Sequence, residues 1–377
     1  MKEVMGLIHH VKDEKAFRQI TKNRCVAAIP FGGKYRLVDF PLSNMVNAGI
    51  SNIGIITSFN MRSLLEHLGR GEDWGLDRKK DGLFILPTAS IDSANNKRKV
   101  DLEDFYANLD YLEKSKQEYV LITGSNIVCN LDLRKVGAFH KKNEADVTIV
   151  YQDGYQFLDL DIKRGVYLQK DDDGRILAIE AGAPSPGNVV SMDMYLLKKS
   201  LLMSFIEEGE INGKWDLISD FLTSRVRDLR IYGFPYQGYL AIVNSWQSLF
   251  KHQLELLDSR VVQKLFNPKR MIYTKIKDGP PTRYCGGAEV CNVLASNGCV
   301  IEGKVENCIM FRKVKIGRGA VIRNSILMPK VEIGENVVLD RVILDKGVSV
   351  HKGTKLISQN EDPIIIPKNI KVREGSV

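Results

Sequence analysis

At 377 residues, with 44% hydrophobic and 27% charged side chains, the chain has the length for two domains and the balance of an ordinary soluble protein. It holds no apolar run of about 18 residues, so no membrane-spanning helix is expected, and its opening MKEVMGLIHHVKDEK, acidic and without a small-residue cleavage site, does not read as a secretory signal. The net charge of +8 favours anionic ligands or an acidic partner surface, but no nucleic-acid motif or dense basic helix accompanies it. The cluster Lys97-Arg98-Lys99 reads as a solvated face. Six cysteines form no C-x-x-C pair, so reduced thiols in a cytoplasmic protein are expected.

In chain order, residues 4–8 read as a first buried strand. Pro30 then opens a turn in which Gly32 and Gly33 allow backbone angles that a Cβ forbids. Lys34 and Arg36 set two cations beside it, a short strand is expected at 37–40, and a helix at 45–50. Strand 52–57 and helix 61–68 follow, then a helical stripe over 100–114. The apolar runs 119–123 and 146–151 read as central strands, the first delivering a loop at Gly124. Residues 171–174 read as a hairpin tip. After strand 189–197 and helix 201–208, strands at 231–234 and 239–243 close the first domain. A connecting helix at 248–262 and a linker at 277–281 lead to the rest.

There the period changes. Val305 to Met310, Ile322 to Leu327 and Leu339 to Leu344 align at a repeat of 17 residues. Steps of six residues, about three to a turn, are the signature of a β-helix whose coils bury an aliphatic ladder only by stacking.

The stretches PFGGKYRLVDFPLSNMVNAGI, LITGSNIV and VVSMDMYLL, with the repeat-built C-terminus, resemble in this order the ADP-glucose pyrophosphorylase (glucose-1-phosphate adenylyltransferase) family of glycogen biosynthesis. The resemblance spans nearly the whole chain. It implies an α/β fold: a doubly wound, Rossmann-like nucleotidyltransferase domain of the GT-A type over 1–250, a connecting helix and linker over 251–283, and a left-handed parallel β-helix of hexapeptide repeats over 284–377.

In that family glucose 1-phosphate attacks the α-phosphorus of ATP. The reaction needs a glycine-rich phosphate loop, carboxylates for Mg²⁺ and cations for the sugar phosphate. Gapless counting from Gly32-Gly33 puts the paired glycines of the family's GGxGxRL loop on Val11 and Lys12, its third glycine on Glu14 and its arginine on Ala16. The lysine of K-P-A falls on Val26. Gly124-Ser125-Asn126 stands for G-D-H, so Ser125 replaces the metal aspartate, and Ile242 replaces the carboxylate of W-x-D-V-G-T. E-K-P has become Glu180-Ala181-Gly182, and G-T-A-D-A has become Val100-Asp101-Leu102-Glu103-Asp104. Glu180, Ser191 and Gly238 remain as sugar-pocket-like positions. No catalytic residue, metal ligand or cofactor is therefore assigned to this chain; Mg²⁺ is expected in a catalytic partner.

The pattern resembles the regulatory-subunit branch of the family. It implies a chain with little or no activity alone, which joins the catalytic ADP-glucose pyrophosphorylase subunit in a heterotetramer and modulates ADP-glucose synthesis. In the family, the segment before the PFGG turn helps bind phosphorylated effectors between the domains. Lys22, Arg24, Lys34 and Arg36 are thus the candidates for a phosphorylated small-molecule effector or an inter-subunit seam, with local salt bridging as the alternative. Two other functions compete: an active nucleotidyltransferase with ligands displaced to Asp101, Glu103 or Asp132, and a hexapeptide-repeat acyltransferase using His351. Asp132 also reads as a helix cap. His9 and His10 point to opposite faces of the first strand, and Cys285 and Cys291 read as plugs of the domain junction.

Overall fold

The computed structural model describes residues 1–11, 14–57, 60–89, 100–182 and 184–373. Lys12, the side chain of Glu14 and the Lys97-Arg98-Lys99 cluster lie outside the described residues. In chain order the first domain comprises β1 (Val4–His9), α1 (Asp39–Asn47), β2 (Asn52–Thr57), α2 (Arg62–Leu68), β3 (Gly82–Pro87), α3 (Leu102–Tyr106), α4 (Leu109–Lys114), β4 (Tyr119–Gly124), α5 (Leu133–Lys142), β5 (Val147–Gln152), β6 (Val166–Lys170), β7 (Ile176–Ala181), β8 (Val189–Lys198), α6 (Lys199–Asn212) and β9 (Ile231–Pro235). The sheet runs β7-β6-β8-β4-β1-β2-β3, with β5 and β9 joined beside β8. Strands β3, β2, β1 and β4 are parallel, and β8 enters antiparallel to β4. The sheet is therefore mixed, with its parallel half delivering β1 and β4 to the same edge, the usual ligand end of an open α/β sheet.

Three expected elements differ. Residues 37–40 are no strand: α1 starts at Asp39, whose Oδ2 accepts the Arg36 N–H at 2.9 Å. Pro41 sits in its first turn, where a missing N–H removes no helical bond. The stripe over 100–114 is two helices, parted where the Asn108 amide donates to the carbonyls of Asp104 and Pro87. The connecting helix is likewise α7 (Trp246–Glu255) and α8 (Ser259–Leu265), because Asp258 caps a fresh N-terminus.

The C-terminal part is a parallel β-helix. Val305, Ile322, Leu339 and Leu356 stack in register at the 17-residue step, as do Ile309, Ile326 and Ile343. The first three of the former set and all of the latter are fully buried. The two domains share a core in which Phe31, Leu37 and Phe40 meet Leu249 and Leu256 of the connecting helix and Ile309, Phe311 and Ile326 of the coils. The Pro30–Gly33 turn is wedged there. The Gln253 side chain donates to Pro30 O and accepts from Gly32 N, and a Cβ on Gly33 (φ +78°) would meet Leu294 Cδ2 at 2.6 Å. Cys291 is exposed on the first coil, so it plugs nothing. Among the described residues no helix is long and apolar enough to cross a membrane.

Candidate functional site

The positions matched to the family's catalytic devices are built as scaffold. Val11 and Ala16 pack, partly buried, on the inter-domain core, and Val26 is buried in the turn before Pro30. Ser125 follows β4. Its N–H donates to His9 O, and its hydroxyl is buried without a partner. Ile242 is buried in the Ala241–Ile242 strand, with its N–H bonded to the Tyr155 hydroxyl. A neutral hydroxyl and an aliphatic side chain do not fit Mg²⁺, which takes carboxylates and water. Among the described residues, no three His, Cys, Asp or Glu side chains converge as metal ligands.

The retained sugar-pocket positions lie on β7, on β8 and before the Ala241–Ile242 strand. Glu180 is paired with Tyr167, which itself pairs Val190, the neighbour of Ser191. The Glu180 carboxylate accepts bonds from the Ser185 hydroxyl and the Asn188 amide. Its own following loop thus occupies it, and Ala181 beside it is exposed. Ser191 accepts the Asp193 N–H, and Gly238 O accepts from Gln152. Asp101 and Asp132 cap the N-termini of α3 and α5. His351 is exposed on a coil turn.

The basic residues gather elsewhere. A cavity of about 780 Å³ opens at the domain junction. Arg24, Arg36 and Arg62 line it from the first domain, Lys277 from the linker, and Arg312, Lys313, Lys330, Lys346 and Lys368 from the coils. Glu66 and Asp278 are its acidic lining residues. Lys22 and Lys34 do not line it; both are exposed, with the Lys34 ammonium over the Tyr35 ring. Arg24 is buried and bound through Nη2 to Asp345 at 2.8 and 3.1 Å. Arg36 donates to the Ser63 carbonyl and hydroxyl at 2.6 and 2.7 Å.

The cations crowd one another. Burial, with Arg24 nearby, brings the Arg36 guanidinium down to about 10. Burial and then neighbouring cations also lower Lys277 and Lys346, and burial lowers Arg312. Such a cavity suits a polyanion, which relieves the repulsion and accepts several charge-assisted hydrogen bonds. The sequence pointed to Arg24 and Arg36 but not to the coil lysines, although Lys330 and Lys346 recur at nearly the coil period. Their coil turns stack directly: Lys330 N donates to Arg312 O, and Gly347 N, next to Lys346, donates to Pro329 O, next to Lys330.

A nucleotidyltransferase sheet, fused through a shared core to a hexapeptide β-helix, defines the class. The nucleotidyl transferase family matches residues 15–256, and the GlmU-like C-terminal hexapeptide family matches residues 282–363. The chain is 37% identical to the glycogen biosynthesis protein GlgD of Bacillus subtilis (strain 168), over 98% of this chain and 96% of that protein. It is also 37% identical to GlgD of Geobacillus stearothermophilus, over 85% and 83%. With the glucose-1-phosphate adenylyltransferase of Clostridium perfringens (strain 13 / Type A) it shares 30% identity, over 100% and 96%. The chain belongs to the glucose-1-phosphate adenylyltransferase family, in its GlgD group.

Proposed function

We propose that this chain is a regulatory subunit of glucose-1-phosphate adenylyltransferase, with little or no activity alone, which associates with the catalytic subunit and modulates ADP-glucose synthesis in the cytoplasm. One contrast carries the reading. The catalytic positions hold Val11, Val26, Ser125, Ala181 and Ile242, while the inter-domain cavity keeps a dense set of cations. A phosphorylated small molecule is the proposed occupant of that cavity, with Arg36 and the coil lysines as its ligands. Because the cavity walls come from both domains, an anion there is sensed by the junction. It alters a partner only insofar as its contacts differ between two states of the assembly.

Association has a physical motive as well. Among the described residues, Arg283–Tyr284 and Glu289–Ala295 are edge strands of the first coil, each with one strand neighbour. An open coil end of this kind favours cover by another surface. The proposed assembly is a heterotetramer with the catalytic subunit, which supplies the Mg²⁺ site.

The test compares ADP-glucose synthesis by this chain, by a catalytic glucose-1-phosphate adenylyltransferase and by the co-purified pair, all with Mg²⁺. The expected result is silence from this chain alone and a changed rate or substrate affinity in the pair. Ordinary turnover by the isolated chain, or a pair indistinguishable from the catalytic subunit, overturns the reading.

A further inference from the structure

A second cleft, of about 630 Å³, shares no lining residue with the cationic cavity and has the size of a small-ligand site. One wall is the loop that follows β5, from Gln152 to Gln156, and another is the corner where α7 gives way to α8. Gly238, Tyr239 and Leu240 complete the lining. Of the positions matched to the family's chemistry only Gly238 borders it, and its carbonyl is taken by the Gln152 amide at 2.7 Å.

The cleft is built on a connected set of polar groups. His252 of α7 is 4% exposed and uses both ring nitrogens. Its Nδ1 donates to Glu255 Oε2 at 2.8 Å, and its Nε2 accepts from the Tyr155 hydroxyl at 3.3 Å. That hydroxyl accepts the Ile242 N–H at 3.1 Å, which fixes its direction. Tyr239 donates to the same Glu255 oxygen at 2.8 Å. Burial raises the Glu255 carboxyl, but the bonds from His252 and Tyr239, with the Lys251 charge nearby, outweigh it and hold the group below its ordinary value. Glu255 is therefore a carboxylate at neutral pH. Both of its bonds fall on Oε2, so Oε1, in a side chain 31% exposed, is a fixed acceptor with no donor among the described residues.

The other charges are mixed in sign. Lys251 and Lys264 form no salt bridge with a described residue, nor does Asp153, while Arg260 and Asp258 satisfy each other through Nη2 at 2.6 Å. A polyanion entering here meets Glu255 and Asp153, and a cation meets Lys251 and Lys264, so neither sign of charge is favoured. A hydroxyl both donates and accepts. It can donate to Glu255 Oε1 while a neighbouring hydroxyl accepts from a lysine ammonium, and such charge-assisted bonds are the stronger kind. The half-buried Tyr155 and Tyr239 rings add apolar surface for the C–H face of a sugar ring.

We infer that this cleft binds a neutral saccharide, with Glu255 and Lys251 bonded to its hydroxyls and Tyr155 and Tyr239 against its ring. The inference depends neither on the regulatory reading nor on what occupies the cationic cavity. Because the chain belongs to a family of glycogen biosynthesis, the saccharide to test is a chain of α-linked glucose.

Maltotetraose is titrated into the chain by calorimetry and followed by saturation-transfer NMR, with inorganic phosphate as competitor. Saturable binding of one oligosaccharide per chain is expected, and phosphate should not displace it. Glu255→Gln keeps the shape but removes the charge, and Lys251→Met removes the ammonium. Each should weaken binding about tenfold or more, as loss of a charged hydrogen-bond partner does. Lys251 holds no salt bridge among the described residues, so Lys251→Met carries the test if Glu255→Gln fails to fold. Absence of saturable binding overturns the proposal. So does displacement by phosphate, or unchanged affinity in either variant whose melting temperature matches that of the parent chain.

Discussion

Arg24 and Asp345, 321 positions apart, form a buried two-oxygen ion pair that ties the first domain to the β-helix. Both side chains are nearly inaccessible, at 5% and 2% exposure, so neither can fall back on water if its partner is removed. Arg24→Met or Asp345→Asn should each destabilise the chain by about 3–5 kcal/mol, the cost of leaving a buried charge unmatched. Arg24→Met with Asp345→Leu should cost less than the sum of the two single changes. Urea denaturation measures all three. Equal additivity would show that the pair does not act as a unit.

The Pro30–Gly33 turn is the second tie. Gly33 combines a left-handed backbone with close approach to Leu294, while Gly32 is bonded to Gln253 of α7. Gly33→Ala should cost about 1–2 kcal/mol from the backbone alone. Any added steric part should shrink in Gly33→Ala/Leu294→Ala, because the clashing atom is a side-chain tip. Thermal unfolding of the two variants separates these contributions.

The cationic cavity predicts a pH dependence of a definite sign. Lys277 and Lys346 are lowered below 10.5 by burial and by neighbouring cations, so in this range the unfolded chain binds more protons than the folded one. Stability of the anion-free protein should therefore rise as pH climbs from their lowered values toward 10.5. Sulfate or inorganic phosphate should raise the melting temperature most below that range and flatten the rise. Arg36→Met should reduce the anion effect several-fold. An anion response unchanged in Arg36→Met would place binding elsewhere.

The coils were legible because the repeat is its own evidence: Val305, Ile322 and Leu339 recur at one spacing and stack at that spacing. Strands β1, β2 and β4 were legible because continuous apolar runs mark strands buried on both faces. The start of α1 was missed because Pro41 reads locally as a breaker, although the first turn of a helix tolerates it. The cavity was half visible. Arg24 and Arg36 flank a recognisable turn, but Arg312, Lys330 and Lys346 belong to the site only through coil stacking and the docking of the coils against α2 and the linker. The role of Arg24 depended on Asp345, which no local pattern connects to it.

His140 gives a prediction at the acidic end. It is 3% exposed on α5, with Nδ1 facing the Thr148 hydroxyl at 2.8 Å and the Tyr119 ring edge-on at 5.5 Å. Burial pushes its pKa down to about 4; Asp146 opposes the shift, and Lys198 and Lys141 add to it. The unfolded imidazole takes its proton near 6.5, so between about 4 and 6.5 the unfolded state binds more protons and stability falls as pH falls. His140→Gln retains a side chain able to bond Thr148 but has nothing to titrate. Its stability should decline less steeply than that of the parent chain across this window, while above the window the two curves run parallel. Urea midpoints collected from about pH 4 to about pH 8 decide the matter. Equal slopes below 6.5 would mean that His140 already carries its proton in the folded chain. His67, also lowered by burial despite its 2.6 Å contact with Asp39, stays in both proteins and accounts for part of the slope the variant keeps.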